Sequence, residues 1–347
     1  EATRLGEEGV VIPPFRLLAA GNQQHARLAQ LMADAPFPPR NIRENLADIA
    51  AQQAANARGV QLLSEYAAAA SWRKLTQYSE YLLDAAESRV RNFIRERYEL
   101  HQPRSLNYRF SDALEDGTPI CVSIVFPGRG NMRIDFAGTG GVSSQNFNAN
   151  PSIVSAAVLY VLRCLIADDL PLNEGVMRCV DLRIPISVLN PPHAENHVDS
   201  PAVAAGNVET SQRVVDVLLG ALGAAAASQG TMNNLLFGNA HFGFYETLCG
   251  GAGATRGADG ASGVHTHMTN TRLTDPEILE SQYPVRLREF CLRMGSGGAG
   301  RWQGGNGVRR AIEFLEPVEL SLLTSRRTDP PPFGLAGGKP GALGRNR

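Results

Sequence analysis

The chain of 347 residues is 43% hydrophobic and 19% charged, which suits a globular protein with a sizeable core and excludes a disordered chain. A formal net charge of −1 leaves no global basic field for nucleic acid or anionic lipid, and no apolar run is long enough to span a bilayer. Cys121, Cys164, Cys179, Cys249 and Cys291 are scattered and form no CxxC, so they read as reduced, mostly buried thiols of a cytoplasmic protein.

Residues 1–20 read as an extended leading segment without a secretory pattern. A first residue other than Met and a turn-rich stop, "PGALGRNR", give the expectation of a piece of a longer chain. Residues 23–99 are rich in good helix formers. Ile42, Leu46, Ile49, Gln53 and Ala57 recur at helical spacing, and so do Leu75, Tyr78, Leu82, Ala85 and Val90. Two or three helices are expected, as a hairpin that packs on something else and serves as a structural arm or interface.

From about residue 105 the rhythm changes. "CVSIVFPGRGNMRIDF" predicts strand, turn, strand, because Val122, Ile124 and Phe126 alternate, as do Met132, Ile134 and Phe136. An apolar helix is expected over 152–167, a strand over 180–188 and a second helix over 208–227 with Val214, Val217, Leu218, Ala221 and Leu222 on its apolar side. Short strands are expected at 240–247 and 263–268, and a β-rich part at 285–325. The fold class is therefore α+β: a helical arm and leading segment over 1–104, then a mixed α/β catalytic-type region over 105–347 with a β-rich C-terminal part.

Familiar nucleotide and hydrolase motifs fail. "GSGGAG" at 295–300 fits G-x-G-x-x-G, but more turn and then strand follow it where the fingerprint needs a helix. There is no phosphate-cradling G-x-x-x-x-G-K-[ST], no G-x-S-x-G and no H-E-x-x-H.

Polar clusters remain in the second half. In "AAGNVETSQR", Asn207 precedes a predicted helix, which suits an anion site at the helix start or a plain cap. In "ASQGTMNNLLFGN", the amides of Gln229, Asn233 and Asn234 suit either an ordinary loop or a site that orients an amide-like ligand. In "GVHTHMTNTR", His265 and His267 would share one face of a strand. That suits two ligands of one metal with Glu246 or Asp275 nearby, an acid–base pair, or two histidines bonded to backbone. The glycines of "YETLCGGAGA" suit close approach to a ligand or a tight backbone crossing.

These stretches, with "DFAGTG" at 135–140, "LPLNEG" at 170–175 and the long run "SGVHTHMTNTRLTDPEILESQYPVRL", resemble the hydantoinase B/oxoprolinase family over nearly the whole chain. The long run is most like the C-terminal half of ATP-dependent 5-oxoprolinases. The resemblance implies a B-type subunit or half of an ATP-dependent cyclic-amide hydrolase, of 5-oxoprolinase or N-methylhydantoinase type. Its expected alternatives are an acetone-carboxylase-like alpha subunit and a non-catalytic partner subunit. It further implies ATP with Mg bound by a hydantoinase A-type subunit or fused A half, a small-molecule cyclic amide as substrate, a hetero-oligomer, and a link to glutathione metabolism. A divalent metal is expected on a His- and Asp-rich segment lying before the counterpart of Glu1, so no metal ligand is assigned within this chain.

Opening an activated amide needs a base, an acid and donors for developing negative charge. Glu209 and Glu246 are the expected bases, His265 and His267 the acid–base groups, and Asn207, Asn233, Asn234 and Asn270 the orienting donors. Arg272 is expected to hold a substrate carboxylate.

Overall fold

The computed structural model describes residues 2–100, 107–166 and 169–347. The expected boundary between 104 and 105 lies outside them. A small hairpin, β1 (Leu18–Ala19) and β2 (Asn22–Gln23), precedes α1 (His25–Ala33), α2 (Ile42–Ala70) and α3 (Trp72–Ile94). Asn41 starts α2 by accepting the Glu44 N–H at 3.1 Å, while Glu44 accepts the Asn41 side-chain N–H at 3.0 Å. A single residue, Ser71, with φ 86°, separates α2 from α3, and Val60, Leu63, Tyr66, Trp72, Tyr78 and Tyr81 on the two helices stay exposed. Ala67 alone is buried among the described residues of α2. In α3 the stripe Ala86, Val90 and Ile94 enters the main core, after which a π-helical turn runs over Arg95–Glu99.

The principal sheet has the order β3 (Asn107–Ala113), β4 (Pro119–Gly128), β5 (Asn131–Asp135), β6 (Val180–Arg183); only the β5–β6 pair is parallel. Alternation puts Ile120, Val122, Ile124, Met132 and Ile134 on one face. Against these pack α4 (Pro151–Leu165), capped by Asn150 at the Ile153 N–H, and α5 (Ser211–Ala221). Each such aliphatic side chain contributes roughly 1.5–3 kcal/mol on leaving water. A second, antiparallel sheet runs β11 (Glu319–Leu323), β7 (Asn234–Gly238), β8 (Gly243–Thr247). Its Phe237 and Phe244 meet Leu279 of α6 (Pro276–Gln282) and Val285 of β9 (Val285–Leu292), which pairs with β10 (Val308–Phe314).

The α+β class, the β4–β5 hairpin and the strands of the C-terminal part follow the sequence pattern. Three expectations are corrected. The strand expected over 180–188 ends at Arg183. The helix expected over 208–227 stops at Ala221, where Gly223 at φ 60° turns the chain and the Ala224 N–H bonds back to Leu219 O at 2.9 Å. No strand forms over 263–268: Val264 makes one bridge to Gly250, and His267, at φ 51°, sits in a turn.

The glycines of 250–261 and 297–305 serve a backbone crossing. A Cβ on Gly253 would lie 1.8 Å from Ala226 O, and one on Gly305 would lie 2.0 Å from Ala261 O. Ala226 N bonds to Ala254 O at 3.0 Å and Gly305 N to Ala252 O at 2.9 Å across these contacts. Gly253→Ala is therefore expected to lower stability by roughly 1–3 kcal/mol, because main chain rather than a movable side chain must give way. Urea unfolding of both chains measures this, and an unchanged midpoint would refute the crossing argument.

Candidate active site

Both sides of α5 are buried. Val214, Val217 and Leu218 join the apolar core, while Glu209, Gln212, Arg213 and Asp216, at helical spacings of 3, 4 and 7, form a polar stripe in which no residue is more than 1% exposed. A buried charge is tolerated only when paired and hydrogen-bonded. The partners come from four distant segments.

Glu209 lies in the π-helical turn Gly206–Thr210 that leads into α5. Its Oε1 accepts from Thr231 Oγ1 at 2.7 Å and Met232 N at 3.3 Å, and its Oε2 from Ser325 Oγ at 2.5 Å. Burial nevertheless pushes its pKa up to about 7, against the pull of those donors and of Arg213. Arg213 reaches Asp112 Oδ2 at 3.4 Å, and Arg326 bonds the same carboxylate, so Asp112 of β3 lies between two guanidiniums. Asp216 accepts from Ser228 N at 2.9 Å and from His267 Nε2 at 3.0 Å. Burial alone would raise Asp216, but the His267 contact, the Ser228 N–H and Arg326 outweigh it and hold the carboxyl below its ordinary range. Gln212 Nε2 bonds Thr266 O at 3.2 Å and Thr269 Oγ1 at 2.8 Å, which fixes the turn that carries His267.

The two histidines make different contacts. His267 joins Asp216 through Nε2 and faces Tyr160 OH through Nδ1 at 3.4 Å. Burial keeps the Tyr160 hydroxyl protonated far above neutral pH. His265 has both ring nitrogens buried with no hydrogen-bond partner among the described residues, and burial lowers its pKa against the Glu246 charge. Glu246 itself faces Arg310 at 2.9 Å, both side chains being 2% exposed, and accepts Thr274 N at 2.5 Å. The Arg310 contact is one of charge, since its N–H directions miss hydrogen-bond geometry. Among the described residues, no three of His, Cys, Asp and Glu gather as a metal-ligand cluster.

Other expected site residues divide. Asn207 is no cap: the helix already begins at Ala204, and Asn207 stands exposed inside the π-helical turn, its carbonyl accepting from Ser211 Oγ. The anion expected at the helix start is the Glu8 carboxylate, which accepts Val203 N at 3.0 Å and Ala204 N at 2.7 Å. Asn270 and Arg272 are exposed, and neither bonds the Glu209 carboxyl. Asn233 and Asn234 do sit beside it. Asn234 Oδ1 accepts from Tyr245 OH at 2.8 Å, and the Glu209 charge is felt at both Tyr245 and Arg327. Asn233 Oδ1 accepts from Arg327 Nη2 at 2.8 Å.

Sequence reasoning missed Asp112, Arg213, Asp216, Ser325, Arg326 and Arg327. The spacing 209, 212, 213, 216 was a usable signal: a polar stripe opposite an apolar one on a helix with no exposed residue.

A sequence model of the hydantoinase B/oxoprolinase family matches residues 1–347. The chain belongs to that family. It is 41% identical to 5-oxoprolinase 1 of Arabidopsis thaliana over 98% of this chain and 28% of that protein, and 36% identical to 5-oxoprolinase of Saccharomyces cerevisiae over 99% of this chain and 28% of that one. It thus spans little more than a quarter of the length of these relatives. The fold is that of an ATP-dependent caprolactamase from Pseudomonas jessenii (TM-score 0.73, 21% identity, 90% of this chain and 55% of that one). It is also that of a nucleotide-free acetone carboxylase (TM-score 0.81, 16% identity, 99% of this chain and 48% of that one). Among the described residues no helix is long and apolar enough to cross a membrane.

The raised pKa of Glu209 has a stability consequence. Relative to its ordinary 4.5, a folded-state value of about 7 means that the native chain holds this proton more tightly than the unfolded one. The stabilisation is complete below pH 4.5 and is lost as pH rises through 7, amounting to about 3 kcal/mol. Glu209→Gln lacks this titration, so the stability difference, wild type minus variant, is expected to fall across that window. Urea unfolding at pH 5 and pH 8 measures it; a difference independent of pH would contradict a near-neutral Glu209.

Proposed function

We propose that this chain is the B-type part of an ATP-dependent cyclic-amide hydrolase of the 5-oxoprolinase type, and that Glu209 is its acid–base residue. The observation that carries the reading is a buried carboxyl with a pKa of about 7, oriented by Thr231 and Ser325 and flanked by the Asn233 and Asn234 amides. At neutral pH such a group populates both protonation states. As a carboxylate it takes a proton from the attacking water; as an acid it gives one to the ring nitrogen. Glu246, engaged with Arg310 and Thr274 N, is assigned a supporting role. His267, held between Asp216 and Tyr160, forms a wall of the site.

The chemistry that ATP supplies is activation of the amide oxygen, and we assign ATP and Mg to a hydantoinase A-type partner or fused half. The Gly-rich loop 295–300 supports this assignment because it is filled by the chain's own backbone: a Cβ on Gly297 would lie 1.9 Å from Gly304 O, and one on Gly298 2.2 Å from Lys339 O. A metal carried on a segment before Glu1 would have its ligands outside the residues described. In this reading the protein works in the cytoplasm as a hetero-oligomer, within glutathione metabolism.

Full-length protein combined with an A-type partner, Mg-ATP and 5-oxoproline tests the reading. Glutamate is expected to form with ATP consumption, and Glu209→Gln is expected to slow it by about 100-fold or more. Complete hydrolysis by the A-type partner alone would make this chain accessory, and undiminished turnover by the Gln variant would remove Glu209 as the acid–base group.

A further inference from the structure

Beside Glu209 runs a hydrogen-bond relay whose polarity is fixed from one end. The Arg327 guanidinium can only donate, and its Nη2 meets Asn233 Oδ1 at 2.8 Å. The Asn233 amide therefore turns its Nδ2 outward, to Gln229 Oε1 at 3.0 Å. Gln229 is left with Nε2, which is buried and has no acceptor among the described residues. Rotating either amide by half a turn would oppose two N–H groups or two oxygens, so the orientation follows from Arg327 rather than from a choice at Asn233 or Gln229.

The relay is tied to the carboxyl at both ends. Asn233 N bonds Thr231 Oγ1 at 3.1 Å, and that hydroxyl donates to Glu209 Oε1 at 2.7 Å. Arg327 Nη1 bonds Ser325 O at 2.7 Å, and the Ser325 hydroxyl donates to Glu209 Oε2 at 2.5 Å. Gln229 cannot swing away, because its backbone N bonds Gly251 O at 2.9 Å and its side chain lies over Gly250, where a Cβ would come within 1.6 Å of Oε1. A second buried donor without an acceptor among the described residues, Asn234 Nδ2, belongs to the residue that bonds Tyr245. Native proteins seldom leave a buried N–H unpaired, and fixed donors without acceptors mark the place of a ligand that brings its own.

We propose that Gln229 Nε2 donates a hydrogen bond to an acceptor oxygen of the substrate, with Asn233 and Arg327 as positioning residues that keep the donor facing the site. The inference rests on the ring-opening activity proposed above. In a lactam acid the acceptor is either the ring carbonyl oxygen, on which negative charge develops, or the carboxylate.

Two variants reverse the polarity without removing volume. Gln229→Glu replaces the donor by an acceptor. Asn233→Asp keeps its bond from Arg327 but offers Gln229 only oxygen, so the Gln229 amide turns and presents Oε1 to the site. Asp tolerates the φ of 51° at this position and gains a charge contact with Arg327, so the fold is retained. In the full-length assembly with its A-type partner, both variants are expected to lower kcat/KM for 5-oxoproline by at least about tenfold, mainly through KM, with unfolding midpoints at or above wild type. Competition by 2-pyrrolidone, which has the lactam carbonyl alone, and by proline, which has the carboxylate alone, distinguishes the two oxygens: the competitor that weakens in both variants carries the one bound. Wild-type KM and kcat in both variants, beside a wild type that opens the ring, would overturn the role of Gln229. A wild-type assembly that opens no ring would instead bring down the activity reading, and this one with it.

Discussion

The Asp112 carboxylate held between Arg213 and Arg326 is the contact on which the rest of the centre depends. Without it two buried guanidiniums would face each other, and removing one partner of such a group typically costs several kcal/mol. Around it the charges nearly cancel. Asp112, Asp216 and Glu209 stand against Arg213 and Arg326, so a proton on Glu209 brings these five groups to zero. The near-neutral pKa of Glu209 is thus a consequence of how the core is neutralised: burial raises it, and Arg213, already shared with Asp112, compensates only in part. One arrangement makes α5 stable inside the protein and leaves a carboxyl able to exchange its proton at physiological pH.

Covering a polar helix face demands thin walls. The stripe on α5 is reached by residues 112, 228–232, 266–269 and 325–327, and these segments must cross one another within hydrogen-bond distance. Gly230 passes where a Cβ would lie 3.0 Å from Arg326 Nε and 3.3 Å from Asp216 Oδ2. The glycines at 250 and 253 let the next layer lie directly on residues 226–229, and Gly251 admits Gly305 on its other side. What looks in the sequence like a flexible ligand loop is a stack of main chain, and its rigidity is what keeps Gln229 from pairing elsewhere.

The elements were legible where local rules decide them. Helical spacing located α2 and α3, an apolar run located α4, alternation located β4 and β5, and a β-rich stretch located β10 and β11. The site was only half legible. Glu209, Asn233 and Asn234 were found because polar residues in a small-residue context are visible locally. Asp112 and Arg326 were not, because their pairing spans 214 residues of chain and leaves no spacing to read. The His265–His267 strand failed for a related reason. Tertiary bonds from Gln212 and Asp216 hold that segment as a turn, with His267 at a positive φ, so the period-two geometry that would have aligned the rings never forms.

Polarity then separates the two kinds of polar chain in the centre. Asp216 accepts from His267 Nε2, and His267 Nδ1 faces the Tyr160 hydroxyl, which burial keeps protonated. That chain closes on itself and leaves His267 no ring nitrogen for a ligand. The chain from Arg327 runs the opposite way: it begins on a group that can only donate, passes through two amides and ends on a donor without an acceptor among the described residues. A closed chain holds a wall in place, whereas an open one asks for an acceptor. In the proposed reading, chemical weight therefore moves from the histidines, the most conspicuous residues in the sequence, to the plain amides that follow α5.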